Sequence, residues 1–299
     1  MKFTTVDVSV VVCTRDRPDD LRRCLASVRM LDPAPLEVVV VDQSSSTNEP
    51  EGMTGLIWLR TDEAGLSRAR NRGLAAARAP VVAFIDDDCV VPPGWAGDVA
   101  EVFARRPEAA LVFGEVRRAN PSPDEYVPTY LIAEEHVLRG RAAAARAHGI
   151  GAAMYLRASA ADTIGPFDEC LGAGGRFRSS EDWDFTFRAL AQGFEVVETP
   201  AIAVRHFGGR PYAGGSAASM LRWNAFSHGA LHAKFARKLD PVAAILILAE
   251  LGTLVGNVRP LGAIRGRPTN LARLYMYVRG FAAGLRTPLS KTENLFSAA

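Results

Sequence analysis

The sequence predicts an α/β fold: a mixed, mainly parallel sheet flanked by helices, followed by a helical C-terminal region. Three observations predict it. Short runs rich in β-branched residues, with no polar alternation, read as strands buried on both faces. Segments with helical spacing lie between them, the alternation of a parallel sheet covered by helices. From Ala217 onward helical patterns dominate. The composition agrees. A chain of 299 residues, 48% hydrophobic and 23% charged, has ample material for a core and is not a disordered, collagen-like or disulfide-scaffold chain.

Residues 8–13 form the first apolar run, and Pro18-Asp19-Asp20 opens a helix with Leu21, Cys24, Leu25 and Val28 on one side. Residues 36–41 are a second buried strand and residues 56–59 a third. A helix starts at Gly65-Leu66-Ser67 and runs through Ala77; residues 81–85 follow as a strand. The second half is less regular. Residues 109–116 read as a strand, 120–146 as a long Ala- and Arg-rich excursion, and 149–156 as a small-residue strand. Residues 179–193 read as a helix stopped by glycine, 195–204 as strand broken at Pro200, and 210–215 as a glycine-rich lid or hinge. Polar clusters follow Cys13, Val41 and Ile85, the carboxyl ends of strands, where open α/β sheets bind ligands.

The sharpest cluster is Asp86-Asp87-Asp88. Three adjacent carboxylates repel one another, and a divalent cation such as Mn²⁺ or Mg²⁺ offsets that cost. Alternate residues of an extended stretch face the same way, so Asp86 and Asp88 share a side while Asp87 points elsewhere. A solvated acidic turn or a helix cap accounts for the same triplet. In Ser180-Glu181-Asp182-Trp183-Asp184, Ser180 is a candidate cap and the carboxylates suit a helix N-terminus, or one of them is a general base. Trp183, Phe187 and Leu190 have core spacing, though Trp183 also suits a sugar face. His206 ends an apolar run as a satisfied polar residue or a metal ligand. Arg15, Arg70 and Asn71 stand where a diphosphate would lie.

Cys13, Cys24, Cys89 and Cys170 show no metal or redox spacing and read as free thiols in a reducing compartment. The first 17 residues lack the long apolar stretch and cleavage site of a secretory leader. The apolar stretch 242–258 is broken by Glu250 and two glycines and falls short of a membrane span. Charge is uneven. Residues 201–299 carry 13 Lys/Arg against 3 Asp/Glu and the first 200 carry 22 against 30, so +10 and −8 make up the net +2. This asymmetry implies a polyanionic partner for the C-terminal third. Arg and Ala are abundant against four Lys (Lys2, Lys234, Lys238, Lys291), a composition of GC-rich bacteria.

Taken together, the ordered motifs resemble the family-2 inverting glycosyltransferases of the GT-A fold, of the rhamnosyl- and galactofuranosyl-transferase-like kind. The matching runs are Val-Val-Val-Cys-Thr-Arg-Asp-Arg-Pro at 10–18, Val-Asp-Gln-Ser at 41–44, Gly-Leu-Ser-Arg-Ala-Arg-Asn-Arg-Gly at 65–73 and Phe-Ile-Asp-Asp-Asp at 84–88. Gly-Pro-Phe-Asp-Glu at 165–169, Glu181-Asp182 and residues 200–206 extend them. Coverage is about residues 7–210. The expected division is a GT-A catalytic domain at 1–210, nucleotide-binding to about 115 and acceptor-binding from 116, then a basic helical region at 211–299.

The resemblance implies a metal-dependent enzyme that moves a sugar from a UDP- or dTDP-sugar, with GDP-mannose the other donor, to an acceptor hydroxyl. Such transfer serves cell-envelope polysaccharide, glycolipid or natural-product glycoside synthesis. Thr14, Arg15, Asp42, Arg70, Asn71, Asp86 and Asp87 would meet the nucleotide and its phosphates. Asp86, Asp88 and His206 would hold Mn²⁺ or Mg²⁺, completing a DXD-type site. Asp182 would be the general base, and Gly151, Glu181 and Trp183 would face donor sugar and acceptor. The acceptor is a glycan, a lipid-linked sugar or a small molecule, with cytoplasmic location and a peripheral place on the inner face of an anionic membrane expected. The C-terminal helices would lie on that membrane, or pack on the core or on a second subunit in a homodimer; no nucleic-acid module accompanies the charge. Two other readings use the same scaffold. A sugar-1-phosphate nucleotidyltransferase would want a glycine-rich loop where Thr-Arg-Asp-Arg-Pro stands, and a non-catalytic binding relative would have lost Asp86, Asp88 or Asp182.

Overall fold

The computed structural model describes residues 5–46, 49, 52–120, 122–255, 270–290 and 295–297. The first half contains β1 (Thr5–Thr14), α1 (Pro18–Arg29), β2 (Ala34–Asp42), β3 (Leu56–Arg60), α2 (Leu66–Ala76) and β4 (Val81–Asp86). After the two-residue β5 (Cys89–Val90) come α3 (Trp95–Arg105), β6 (Ala109–Arg118), β7 (Glu125–Tyr126) and β8 (His136–Leu138). Next follow β9 (Ala153–Arg157), α4 (Ala158–Ile164), α5 (Glu181–Ala191), β10 (Glu195–His206) and β11 (Arg210–Pro211). The helices α6 (Ser216–Ala236), α7 (Pro241–Val255) and α8 (Asn270–Arg286) make up most of the remainder.

One sheet runs β3-β2-β1-β4-β9-β6-β10-β5, with β8 also on the outer edge of β10. β3, β2, β1 and β4 are parallel, β9 is antiparallel to both β4 and β6, and β6 is parallel to β10. The central runs lack polar alternation because both faces are covered. Val10 and Val12 pack with Leu21 and Cys24 of α1 and Trp95 and Val99 of α3. Val11 and Phe84 belong to the opposite core, with Phe185 of α5 and Leu231 and Phe235 of α6. Pro18 and two acidic residues begin α1 and Arg29 ends it, an order that suits the helix dipole.

The structure corrects four expectations. The strand expected at 149–156 starts only at Ala153, because residues 149–152 form a turn region. Pro200 does not end β10: pairing with β6 jumps from Glu198 to Ala203, a bulge that removes the need for a Pro200 N–H. Residues 210–215, expected as a glycine-rich lid or hinge, include β11 paired with β7 and a short 3-10 turn. Two helices, α3 and α4, went unrecognised. The helices beyond residue 210 share the core of the sheet: α6 and α7 contribute Ala230, Leu231, Phe235 and Leu246 to the cluster that holds Val11 and Phe84.

Candidate active site

The carboxyl ends of β1 and β4 and the start of β5 bring Thr14 and the Asp86-Asp87-Asp88 triplet into one cavity of about 360 Å³, which His206 at the end of β10 also lines. The electrostatic cost of the triplet is offset by the protein itself. Arg17 Nη1 is 2.7 Å from Asp87 Oδ1, and its Nη2 is 2.6 Å from Asp88 Oδ2. Thr14 Oγ1 donates to the other oxygen of Asp87 at 2.7 Å. Asp86 lies 3.5 Å from Arg70 Nη2. Burial pushes Asp87 up to about 7 despite Arg17 and Thr14. Burial also works against the Asp88 charge, but His206 and Arg17 hold its pKa far below the usual carboxylate range.

Asp88 Oδ1 is buried and accepts no hydrogen bond, although His206 Nε2 is 3.1 Å away. Burial disfavours the imidazolium, yet the adjacent Asp88 raises the His206 pKa above its usual value. A Cβ on Gly208 would fall 2.1 Å from Asp88 Oδ2, so only glycine leaves this carboxylate its space. Oδ1 of Asp88 and Nε2 of His206 form an oxygen–nitrogen pair of the kind that suits Mn²⁺ or Mg²⁺, whereas Asp86 lines the same cavity without joining that cluster. The ligand atoms of Cys89, Asp88 and His206 lie within 4.8 Å of one another, but a soft sulfur ligand suits Mn²⁺ or Mg²⁺ poorly.

A second cavity of about 330 Å³ adjoins the first, sharing Pro128 and Ile150 in its wall. Glu181, Asp182 and Trp183 at the start of α5 line it, opposite Asn224 and His228 of α6. Ser180 does not cap α5 through its side chain. It sits in the left-handed region at φ 71, and the preceding Ser179 carbonyl accepts a 2.6 Å hydrogen bond from Ser227 of α6. Asp182 is held from two sides: Gly151 N–H donates to Oδ2 and Trp183 N–H to Oδ1, both at 2.8 Å. Trp183 donates through Nε1 to the Ala147 carbonyl and packs 5.1 Å from the His228 ring.

Arg70 links the two cavities. Its buried guanidinium reaches Glu181 Oε1 at 2.8 Å, the Gly151 carbonyl at 3.1 Å and Asp86. A Cβ on Gly151 would meet that guanidinium at 2.7 Å, so the close approach requires glycine. Burial first, then Asp182, pushes Glu181 up to about 7, with Arg70 opposing. Arg70 is thus a bridge between carboxylates rather than the open phosphate ligand expected from the sequence.

Two other expectations are revised. Asn71 does not line the donor-side cavity: its side chain clamps the Phe167 backbone at 2.7 and 3.0 Å and faces a separate cavity of about 840 Å³ between α2, α4 and α5. Asp42 is buried and accepts from the Ser44 N–H at 2.9 Å, so its carboxylate is engaged by its own loop, while neighbouring Gln43 lines the cavity. Arg15 lines the cavity and is exposed beside Asp16. Sequence reasoning missed Arg17, although it stands in Thr-Arg-Asp-Arg-Pro two residues after Arg15. It also missed Asn224 and His228, which lie outside the matching motifs and carry no local signal.

A mixed sheet of this order, with carboxylates gathered at the ends of β1 and β4, defines a GT-A-like α/β fold. Residues 9–165, just over half of the chain, match the family described as Glycosyl transferase family 2, and the chain belongs to that family. It is 28% identical over 211 residues to the pre-mycofactocin glycosyltransferase of Mycobacterium tuberculosis, covering 67% of this chain and 42% of the relative. It is 30% identical over 127 residues to the succinoglycan biosynthesis protein ExoM of Rhizobium meliloti, covering 39% and 41%. The chain therefore spans about two-fifths of the length of these curated relatives. Among solved structures, S. aureus TarS 1-349 matches at TM-score 0.57 and 16% identity over 92% of this chain and 81% of that one. The same TarS fragment in complex with UDP matches at TM-score 0.53 and 18% identity, over 75% and 65%.

Proposed function

We propose that this chain transfers a sugar from a nucleoside-diphosphate donor, UDP- or dTDP-linked, to an acceptor hydroxyl with inversion at the anomeric carbon. One observation carries the reading: a cation-lined carboxylate cavity and a cavity presenting Asp182 adjoin, joined through Arg70 and Gly151. The first would take the nucleoside diphosphate, near Thr14, Arg15, Arg17 and the triplet. UDP leads among donors because a TarS structure similar to this one was solved with UDP. Asp88 and His206, with Asp86, would hold a divalent cation, which when bound would neutralise charge growing on the leaving diphosphate.

Asp182 would take the acceptor hydroxyl's proton as that oxygen bonds to the anomeric carbon and the carbon–phosphate-oxygen bond breaks. The electron pair leaves with the nucleoside diphosphate. Its two backbone N–H contacts hold the carboxylate in place, while Glu181, pinned to Arg70, suits orientation of the sugar. Calorimetric titration of UDP, dTDP and GDP with Mn²⁺ tests the donor site. One nucleotide should bind to the native chain, and Asp88→Ala should weaken it at least tenfold, on the scale of a lost charge-assisted contact. Binding that is the same with and without Mn²⁺ would remove the cation from this reading.

The acceptor side extends to an anionic membrane surface in the same reading. The outward face of α7 is uncharged, with Ala244, Ile245, Leu248 and Ala249 exposed, and α8 exposes Leu271, Tyr275, Val278 and Leu285 beside Arg279 and Arg286. Leu248 is 69% and Leu271 76% exposed. Such an apolar face bordered by arginine fits a lipid surface, each nearby basic residue adding about 1 kcal/mol. Arg259, Arg265 and Arg267, which the sequence places between α7 and α8, lie outside the described residues. Among the described residues no helix is long and apolar enough to cross a membrane. The chain should float with phosphatidylglycerol vesicles at low salt, and Leu248→Glu should abolish flotation. A lipid-independent dimer would instead assign the face to a second copy.

A further inference from the structure

Arg17 closes the donor-side cavity from the loop between β1 and α1. Asp16, at φ 53, is tied to Ser44 and Ser45 by hydrogen bonds of 2.8, 2.9 and 3.0 Å, and this turn delivers the next side chain into the cavity. The guanidinium then uses all three nitrogens on carboxylates. Besides its contacts to Asp87 and Asp88, Nε lies 3.2 Å from Asp20. The Asp87 and Asp88 side chains are 5% and 3% exposed, whereas that of Arg17 is 36% exposed.

Asp88 therefore has one oxygen committed to a fixed positive charge and the other beside His206. A divalent cation arriving alone at Asp88 meets that guanidinium at close range, in a site where solvent screens it poorly. A nucleoside diphosphate changes the sign of the encounter. Its oxygens lie against a metal and a guanidinium at once, and a planar fork suits two phosphate oxygens. We propose that Arg17 makes cation binding conditional on the donor diphosphate: it disfavours the cation alone and favours the cation and diphosphate together. The inference rests on the reading of this cavity as the donor site. Because linkage is reciprocal, the same residue strengthens nucleotide binding when the cation is present.

The test is titration with Mn²⁺ alone, followed by electron paramagnetic resonance of free Mn²⁺, and then with UDP present. The native chain should bind Mn²⁺ alone weakly and with UDP much more tightly. In Arg17→Gln, Mn²⁺ alone should bind about tenfold more tightly, and the coupling between Mn²⁺ and UDP should fall by about tenfold, within the usual range of coupling energies. Arg17→Lys keeps the charge without the fork and should retain the weak binding of Mn²⁺ alone. Removing the guanidinium takes a partner from two buried carboxylates, so melting curves check that each variant folds, and Arg17→Met replaces the glutamine variant should that one not fold. Unchanged Mn²⁺ affinity in the glutamine variant, or a lysine variant that matches it, overturns the role of Arg17 while leaving the donor site standing. A native chain that binds no UDP at saturating Mn²⁺ overturns the donor-site reading and this inference with it.

Discussion

Asp182→Asn should lower turnover by about 10²–10⁴-fold, the usual contribution of a general base. Nucleotide affinity should be unchanged, because Asp182 lines the second cavity and not the one that holds the triplet. The substitution is close to isosteric. One amide oxygen still accepts a backbone N–H, and the other N–H, from Gly151 or Trp183, loses its acceptor. That loss should cost about 1 kcal/mol of stability, too little to unfold the chain. Steady-state transfer assays alongside UDP titration separate the two effects. Turnover reduced less than about tenfold would exclude proton removal by Asp182 and turn attention to Glu181, whose raised pKa of about 7 suits a base but whose carboxylate is engaged by Arg70.

Lys234→Met should destabilise the fold by about 3–5 kcal/mol, the cost of leaving buried charges without their partner. Lys234 has no solvent exposure, and its Nζ lies 2.7 Å from Asp168 Oδ2 and 2.6 Å from Asp184 Oδ1, both carboxylates equally buried. Arg188 still reaches Asp184 at 2.9 Å, and the Phe296 N–H still donates to Asp168 at 2.8 Å, so the loss falls short of complete disruption. Because Asp184 lies on α5, the same contact holds the helix that carries Asp182 against α6. Urea unfolding measures the change, and adding Asp168→Asn to the variant should recover part of it by removing one stranded charge. A change under about 1 kcal/mol, the scale of an exposed ion pair, would mean that the buried contact does not form in solution.

The elements that position the site were legible where burial on both faces left a local pattern. The apolar runs of β1, β2 and β4, the spacing of α1 and α2, and the carboxylates after β4 could all be read locally. α3 was not read, although Trp95, Val99, Val102 and Phe103 keep helical spacing after Pro92-Pro93-Gly94. Site roles were harder. Arg70 and Asn71 are neighbours in sequence, but one helical step rotates a side chain by about 100°, which turns Arg70 toward Glu181 and Asn71 toward Phe167. A buried guanidinium must find acceptors, and those acceptors, Glu181 and the Gly151 carbonyl, lie 111 and 81 residues further along the chain, where no local pattern links them to Arg70. The C-terminal third showed its positive charge in composition. Nothing there revealed that Lys234 is internal, because charge counts do not distinguish a solvated ammonium from one paired in the core.

By itself the sequence determined the α/β class, the order of strands and helices from β1 to β4, the family resemblance and the placement of the triplet at a strand end. These depend on local periodicity and on motifs whose chemistry is carried by adjacent residues. Only the tertiary structure decided which cations oppose the triplet, that Asp88 faces His206, that Arg70 joins two cavities, and that α6 belongs to the same core as the sheet. Those features depend on contacts between residues 66–118 positions apart, where side-chain direction and burial select the partner and residue type alone does not.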